Sequence, residues 1–163
     1  MNHRIEEKDA FDIIEKVEVH SAENGANESS IPEFWARAYS DGTMEKLAEV
    51  NSDKNFIFGI CYGNQDKNSK DFEYSIAVKC EKDPIVPDGF RKNSISNKTW
   101  LVFTCVGAMP DAIQAAWKKI SSEFFPASGY KPTGEMDIEA YTEGDTDSPD
   151  YRSEIWVPIE KKQ

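Results

Sequence analysis

The stretch TWLVFTCV at residues 99–106 decides the fold class, because β-branched and aromatic residues dominate it. This composition predicts a buried strand. Gly107 and Pro110 then precede a helical stripe of apolar residues: Ile113, Ala116, Trp117, Ile120 and Phe124. Two more strands are predicted at 136–141 and 154–159, on either side of an acidic loop. The second half of the chain therefore has the order strand, helix, strand, strand.

The first half of the chain repeats this order. Residues 12–20 alternate between apolar and polar side chains, which predicts a half-buried strand. Ser30 and Glu33 form a capping-box pattern that predicts a helix start, with Pro32 in its first turn. Strands are predicted at 56–62 and 72–79. We therefore expect an α+β fold made of a duplicated β-α-β-β repeat with pseudo-twofold symmetry.

This repeat also predicts how the chain is organised. The sheet should be mostly antiparallel, with the helices on one face and a ligand cleft on the other. We expect one domain over residues 1–163, with repeat 1 at about 11–80, a linker at 81–98 and repeat 2 at about 99–160. The first ten residues are charged and are expected to be frayed.

The charge of the chain limits its partners. The sequence has 19 basic and 30 acidic residues and a net charge of -11, which repels phosphate backbones and favours cations. No apolar run approaches the ~20 residues that span a bilayer, and no secretory signal is expected at residues 1–8. Three scattered cysteines and two histidines predict neither disulfides nor a metal site. We expect a cytoplasmic protein with no cofactor and no direct binding to DNA or membranes.

The last two predicted strands carry the candidate site. Glu139 and Tyr141 alternate with Ile138 and Ala140, and Glu154 and Trp156 alternate with Ile155 and Val157. If the apolar sets share the core face, both strands present a carboxylate and a ring to the opposite face. Rings and carboxylates together suit a cationic guest. An ordinary solvated face, with Trp156 shielding its neighbours, fits the alternation equally well.

Further aromatic residues are candidates for the wall of a binding site. Phe34 and Trp35 open the first predicted helix, and Tyr62 and Trp100 lie at strand ends. Each is a residue type that more often packs in a core. Tyr151 lies where the acidic loop rejoins the sheet.

Four segments together resemble one family. They are IPEFW at 31–35, TWLVFTC at 99–105, MPDAI at 109–113 and YRSEIWVP at 151–158. In order and spacing they are similar to the GyrI-like family, the effector-binding domain of AraC-type and multidrug-sensing bacterial regulators, over about residues 10–160. The resemblance implies a central cleft for lipophilic, often cationic compounds. By position, Glu139 resembles the ligand-contacting glutamate and Tyr151 an aromatic contact.

Three functional hypotheses follow. The first is a stand-alone binding domain for a lipophilic cation, because no helix-turn-helix fits before residue 10. The second is a hydrolase of small electrophilic compounds, in which Glu139 or Glu154 is the general base and Trp156 positions the substrate. The third is a protein-interaction inhibitor, such as a gyrase-type modulator, that uses the acidic segment 143–147.

Overall fold

Antiparallel strands form one continuous sheet in the computed structural model, which describes residues 2–64 and 66–163. Within these ranges the strands are β1 His3–Lys8, β2 Phe11–Ser21, β3 Ile57–Tyr62, β4 Asp71–Lys79, β5 Arg91–Ile95, β6 Lys98–Val106, β7 Tyr130–Pro132, β8 Met136–Tyr141 and β9 Arg152–Lys161. The helices are α1 Asn27–Ser40, α2 Thr43–Val50, α3 Asp111–Lys119 and α4 Phe125–Ala127. A 3-10 turn at Glu23–Gly25 precedes α1, and a π-helical turn at Ile120–Phe124 joins α3 to α4.

The strand order contains an internal symmetry. The strands lie in the order β1-β6-β9-β8-β3-β4-β2-β5, and β7 pairs with β9. The first repeat contributes β2, β3 and β4, and the second repeat contributes β6, β8 and β9. Counted outward from the centre of the sheet, each half has its middle, last and first strand in turn: β3, β4 and β2 on one side, and β8, β9 and β6 on the other. A pseudo-twofold axis therefore passes between β8 and β3. The predicted α+β class with an antiparallel sheet is confirmed.

Helices from both halves cover the same face of the sheet. Phe34, Ala38 and Leu47 of α1 and α2 pack in one cluster with the β2 and β4 residues Ile14, Tyr74, Ile76 and Val78. In the other half, α3 buries Ile113 and Ala116 against strands β6 and β9. The helices of the two halves therefore lie side by side on this face, and the space between them is left for a cleft.

The opposite face closes on itself. The rings of Phe11 on β2 and Trp156 on β9 lie 6.5 Å apart, although β8, β3 and β4 separate these strands. In a flat sheet they would be about 19 Å apart, at ~4.8 Å per strand. The sheet therefore curls around a core that also contains Phe58 and Trp100. The predicted position of the cleft on this face is wrong, because curvature fills it with apolar side chains.

Three local predictions also differ from the structure. The segment expected to be frayed forms β1 and pairs with β6. The linker contains β5, which pairs with β2. Helix α1 begins at Asn27 rather than at Ser30, whose hydroxyl instead lies 2.7 Å from Nδ1 of the buried His20. In each case a tertiary partner supplies hydrogen bonds that local propensity does not predict.

Replacing Trp156 with alanine should destabilise the protein, because its side chain fills the curled core. We expect the free energy of unfolding to fall by about 3–5 kcal/mol, measured by urea denaturation. Ile85→Ala is the control, since Ile85 is 88% exposed and its loss should change stability by less than about 0.5 kcal/mol. Equal stabilities of the two variants would contradict the closed core.

Candidate functional site

A cleft of about 660 Å³ lies on the helix-covered face, between the two halves. Helices α1 and α2 form one wall, and the loop after β8 forms the other. Its aromatic lining consists of Trp35, Tyr39, Phe56, Tyr74, Tyr141 and Tyr151. Met44 and Met109 add flexible apolar surface, and Glu139 supplies a carboxylate. This volume and chemistry suit a small apolar molecule with a few polar groups.

Glu139 is the electrostatic centre of the cleft. Its Oε2 accepts a hydrogen bond from Trp117 Nε1 at 2.9 Å, and its Oε1 accepts one from the Tyr141 hydroxyl at 3.0 Å. Burial raises the pKa of this carboxyl, and the two hydrogen bonds offset part of that rise. Lys54 is the only basic residue among the described lining residues, and its Nζ donates to the Ala48 carbonyl. Within the part of the chain that the structure describes, the carboxylate therefore has hydrogen-bond donors around it but no cationic side chain.

Gly59 makes room for the aromatic wall next to Glu139. It pairs with Glu139 on one side and with Ile76 on the other. A side chain at this position would overlap the Tyr74 hydroxyl and come within 3.2 Å of the Trp35 ring. Because glycine has no side chain, Trp35 Nε1 can donate a hydrogen bond to the Tyr74 hydroxyl at 2.8 Å. The absent side chain thus allows the rings of α1 and β4 to meet over the middle of the sheet.

The loop between β8 and β9 forms the second wall through backbone contacts. The Tyr151 hydroxyl donates to the Thr142 carbonyl at 2.7 Å, and Met109 N donates to the Thr146 carbonyl at 2.8 Å. Gly107 N donates to the Tyr151 carbonyl at 2.8 Å. These bonds hold Tyr151 in the wall and leave the exposed Glu143 at the rim. The acidic loop is therefore part of the candidate site.

Four of the nine residues predicted from the sequence meet in this cleft: Trp35, Glu139, Tyr141 and Tyr151. The prediction that Glu139 and Glu154 share a face is wrong. The register pairs Glu139 with Ile155, and it pairs Ala140 with Glu154. Side chains of directly paired residues lie on the same face. Glu154 and Trp156 therefore face the curled core rather than the cleft.

The other predicted residues have structural contacts elsewhere. Glu154 accepts from Arg4 at 3.3 Å and from Trp156 Nε1 at 2.9 Å. Trp100 is fully buried beside Trp156. Phe34 packs against His20 and Tyr74 in the core below α1.

Tyr62 belongs to a buried polar cluster on the core face. Its hydroxyl donates to Glu15 Oε1 at 2.5 Å, and Arg91 Nε contacts the other carboxylate oxygen at 2.9 Å. Glu15 is completely buried, and Ser75 Oγ also donates to it. These partners satisfy the charge of Glu15 and join β5 to the sheet.

Four aromatic residues of the site were not predicted from the sequence: Tyr39, Phe56 and Tyr74 of the lining, and Trp117, which donates to Glu139. Tyr39 follows Trp35 and Ile31 at four-residue spacing, so these three share the cleft side of α1. That spacing could have identified Tyr39 as a residue of the site. Phe56, Tyr74 and Trp117 had no such signal, because each lies in an apolar pattern that also predicts a core residue.

Comparison with known proteins identifies the family. The model of the Cass2 family, described as integron-associated effector binding protein, matches residues 4–159. This chain belongs to the Cass2 family. No protein of curated function matches the sequence. The GyrI-like resemblance is confirmed, and the effector-binding fold supports binding of a small molecule.

Solved structures share the fold of this Cass2-family protein. SAV2435, solved with tetraphenylphosphonium, is 23% identical, with a TM-score of 0.86 over 98% of this chain and 94% of that one. A Staphylococcus aureus protein is 24% identical, with a TM-score of 0.83 over 98% and 99%. An integron cassette protein of Vibrio cholerae is 17% identical, with a TM-score of 0.70 over 97% and 95%. Within the described residues, no helix has the length and apolarity to cross a membrane.

Asp137 is a second partly buried carboxyl beside Glu139. It lies two residues earlier on the same face of β8 and pairs with Cys61. Burial, and then the charge of Glu139, raises its pKa from 3.8 to about 6. A raised carboxyl pKa means that the folded protein binds more protons than the unfolded chain between pH ~4 and 6. Stability is therefore lost as the pH rises through this window.

Asp137→Asn should remove the loss of stability that accompanies a rise in pH through this window. We expect the variant to be more stable than the wild type at pH 7 by about 3 kcal/mol, and the difference should become small near pH 4. Urea denaturation between pH 4 and 7.5 measures it. Asp147→Asn, in the exposed loop, should follow the wild-type curve. A constant difference between Asp137→Asn and wild type over this range would contradict the assignment.

Proposed function

We propose that this protein binds a lipophilic organic cation in the cleft, as a stand-alone effector-binding domain. One observation carries the proposal: Glu139 is a partly buried carboxyl with two hydrogen-bond donors and, among residues 2–64 and 66–163, no basic partner. A carboxylate in such a place favours a guest that brings a positive charge without needing full hydration. Organic cations with aromatic or alkyl substituents have this property.

The walls of the cleft provide the remaining affinity. Trp35 and Tyr141 meet edge to face, with ring centroids 5.4 Å apart, next to the carboxylate. A cation against such rings gains about 0.5–2 kcal/mol, depending on desolvation. Burial of its apolar substituents adds about 25 cal/mol per Å². The net charge of -11 and Glu143 at the rim attract cations toward the mouth.

The comparison with SAV2435 supports this ligand class. That protein shares the fold and was solved with tetraphenylphosphonium, which is a lipophilic cation. The same compound is therefore a suitable first probe for this chain. A glutamate in this cleft would also suit a hydrolase, so the recovered ligand should be analysed by mass spectrometry. Turnover in place of reversible binding would contradict the proposal.

Glu139→Gln keeps the shape of the side chain and removes its charge. We expect the affinity for tetraphenylphosphonium to fall by about tenfold or more, measured by isothermal titration calorimetry. Glu154→Gln is the matched control, because Glu154 faces the other side of the sheet. It should bind as the wild type does. Equal losses in both variants, or no binding by the wild type, would refute the proposal.

Binding of the cation should also depend on pH. The pKa of Glu139 lies above its ordinary 4.5, so the carboxyl becomes neutral as the pH falls through the raised value. We therefore expect the affinity to decrease with acidification, beginning above pH 4.5. Asp137, Tyr74 and Tyr141 also face this region, and Asp137 contributes with the same sign. Glu139→Gln should flatten most of the profile, and an unchanged slope in this variant would exclude Glu139 as the titrating group.

A further inference from the structure

The tyrosine hydroxyls around the sheet differ in what they donate to. Tyr62 donates to Glu15, Tyr141 to Glu139 and Tyr151 to the Thr142 carbonyl. Tyr74 is different, since its oxygen accepts a hydrogen bond from Trp35 Nε1. Its own proton has no acceptor within hydrogen-bonding distance among residues 2–64 and 66–163. Tyr74 is nevertheless only 3% exposed.

A buried donor without an acceptor is unfavourable, and the free-energy cost is comparable to that of a lost hydrogen bond. Tyr74 is one of the residues that line the cleft. The acceptor for its proton must therefore come from what fills the cleft, either water or an atom of the ligand. A ligand that displaces water there without offering an acceptor loses that hydrogen bond.

We propose that the ligand of this cleft carries a hydrogen-bond acceptor as well as a positive charge, and that Tyr74 donates to this acceptor. The proposal rests on the cleft being the ligand site. A carbonyl oxygen, an ether oxygen or an aromatic ring nitrogen would satisfy the hydroxyl. Tyr74 is then a specificity-determining residue that separates acceptor-bearing cations from purely hydrocarbon ones.

The position of the donor limits where the acceptor lies on the ligand. Tyr74 is on β4 and Glu139 is on β8, and only β3 separates these strands. Their backbones are therefore about 10 Å apart on the same face. The Tyr74 hydroxyl reaches over Gly59, and Gly59 is the residue that pairs with Glu139. The acceptor accordingly belongs close to the charged centre, on a substituent attached directly to it.

The contact with Trp35 strengthens this arrangement. A hydroxyl that accepts a hydrogen bond becomes a better donor, because the bonds polarise one another. The bond from Trp35 also occupies one lone pair of the Tyr74 oxygen, which limits the directions open to its proton. Gly59 is what permits this geometry, since a side chain there would displace the hydroxyl. The donor is therefore held in place before the ligand arrives.

The test compares cations that differ by one acceptor. Tetraphenylphosphonium has no acceptor, and the three positional isomers of (acetylphenyl)triphenylphosphonium place one carbonyl oxygen at different points around the same core. Tyr74→Phe removes the hydroxyl and keeps the ring. We expect at least one isomer to lose about fivefold in affinity in this variant, while tetraphenylphosphonium changes by less than about twofold.

Tyr151→Phe is the matched control. It removes a hydroxyl from the same cleft, but that hydroxyl already donates to the Thr142 carbonyl. It should alter the affinities of all four cations by the same factor. A separate comparison needs only the wild type: the sensitive isomer should bind about fivefold tighter than its isopropenyl analogue, which has the same shape but no carbonyl oxygen.

Two outcomes would overturn this proposal, and a third would overturn the proposed function on which it rests. If every isomer changes as tetraphenylphosphonium does in Tyr74→Phe, the hydroxyl is not a ligand donor. If isopropenyl and acetyl analogues bind the wild type equally, the acceptor has no role, even should Tyr74→Phe fail to fold. If the wild type does not bind tetraphenylphosphonium or any isomer, the proposed function itself fails.

Discussion

A desolvated carboxylate that has no basic partner among the described residues is the constraint on which the site depends. Glu139 lies at the centre of the sheet, and Trp117 from α3 and Tyr141 from its own strand orient it. Two neutral donors hold the oxygens in place but do not cancel the charge. A lysine or arginine side chain beside Glu139 would stabilise the protein without a ligand, and it would remove the attraction for a cationic guest. The aromatic walls are arranged around this uncompensated group.

The curvature of the sheet determines where that group can lie. Because β2 and β9 approach each other on the core face, the rings of Phe11, Phe58 and Trp156 pack together there. The other face is convex and carries α1 and α2 over the first half and α3 over the second. The cleft lies between them, over β8 and β3. Packing on one face of the sheet thus opens the binding site on the other.

The two walls are built by different means. The first wall is made of side chains on α1, whose four-residue spacing turns Ile31, Trp35 and Tyr39 toward the cleft. The second is a loop whose backbone hydrogen bonds join Thr142 to Tyr151 and Met109 to Thr146. Helical surfaces preserve their shape as side chains vary, while loops tolerate changes in length and sequence. This division would allow the ligand preference to change at the loop without loss of the fold.

The sequence by itself determined the order of the elements, because hydrophobic periodicity is a local property. It predicted the duplicated β-α-β-β order, the limits of β8 and the alternation that places Glu139 and Tyr141 on one side of that strand. It did not predict β1 and β5, which form because β6 and β2 supply the hydrogen bonds. It also led to the wrong prediction that Glu139 shares a face with Glu154 and Trp156. Alternation defines two faces within a strand, but only the register between strands decides which faces coincide, and a shift of one residue exchanges them. The pairing of Glu139 with Ile155, and the approach of Tyr74 over Gly59, were decided by tertiary structure alone.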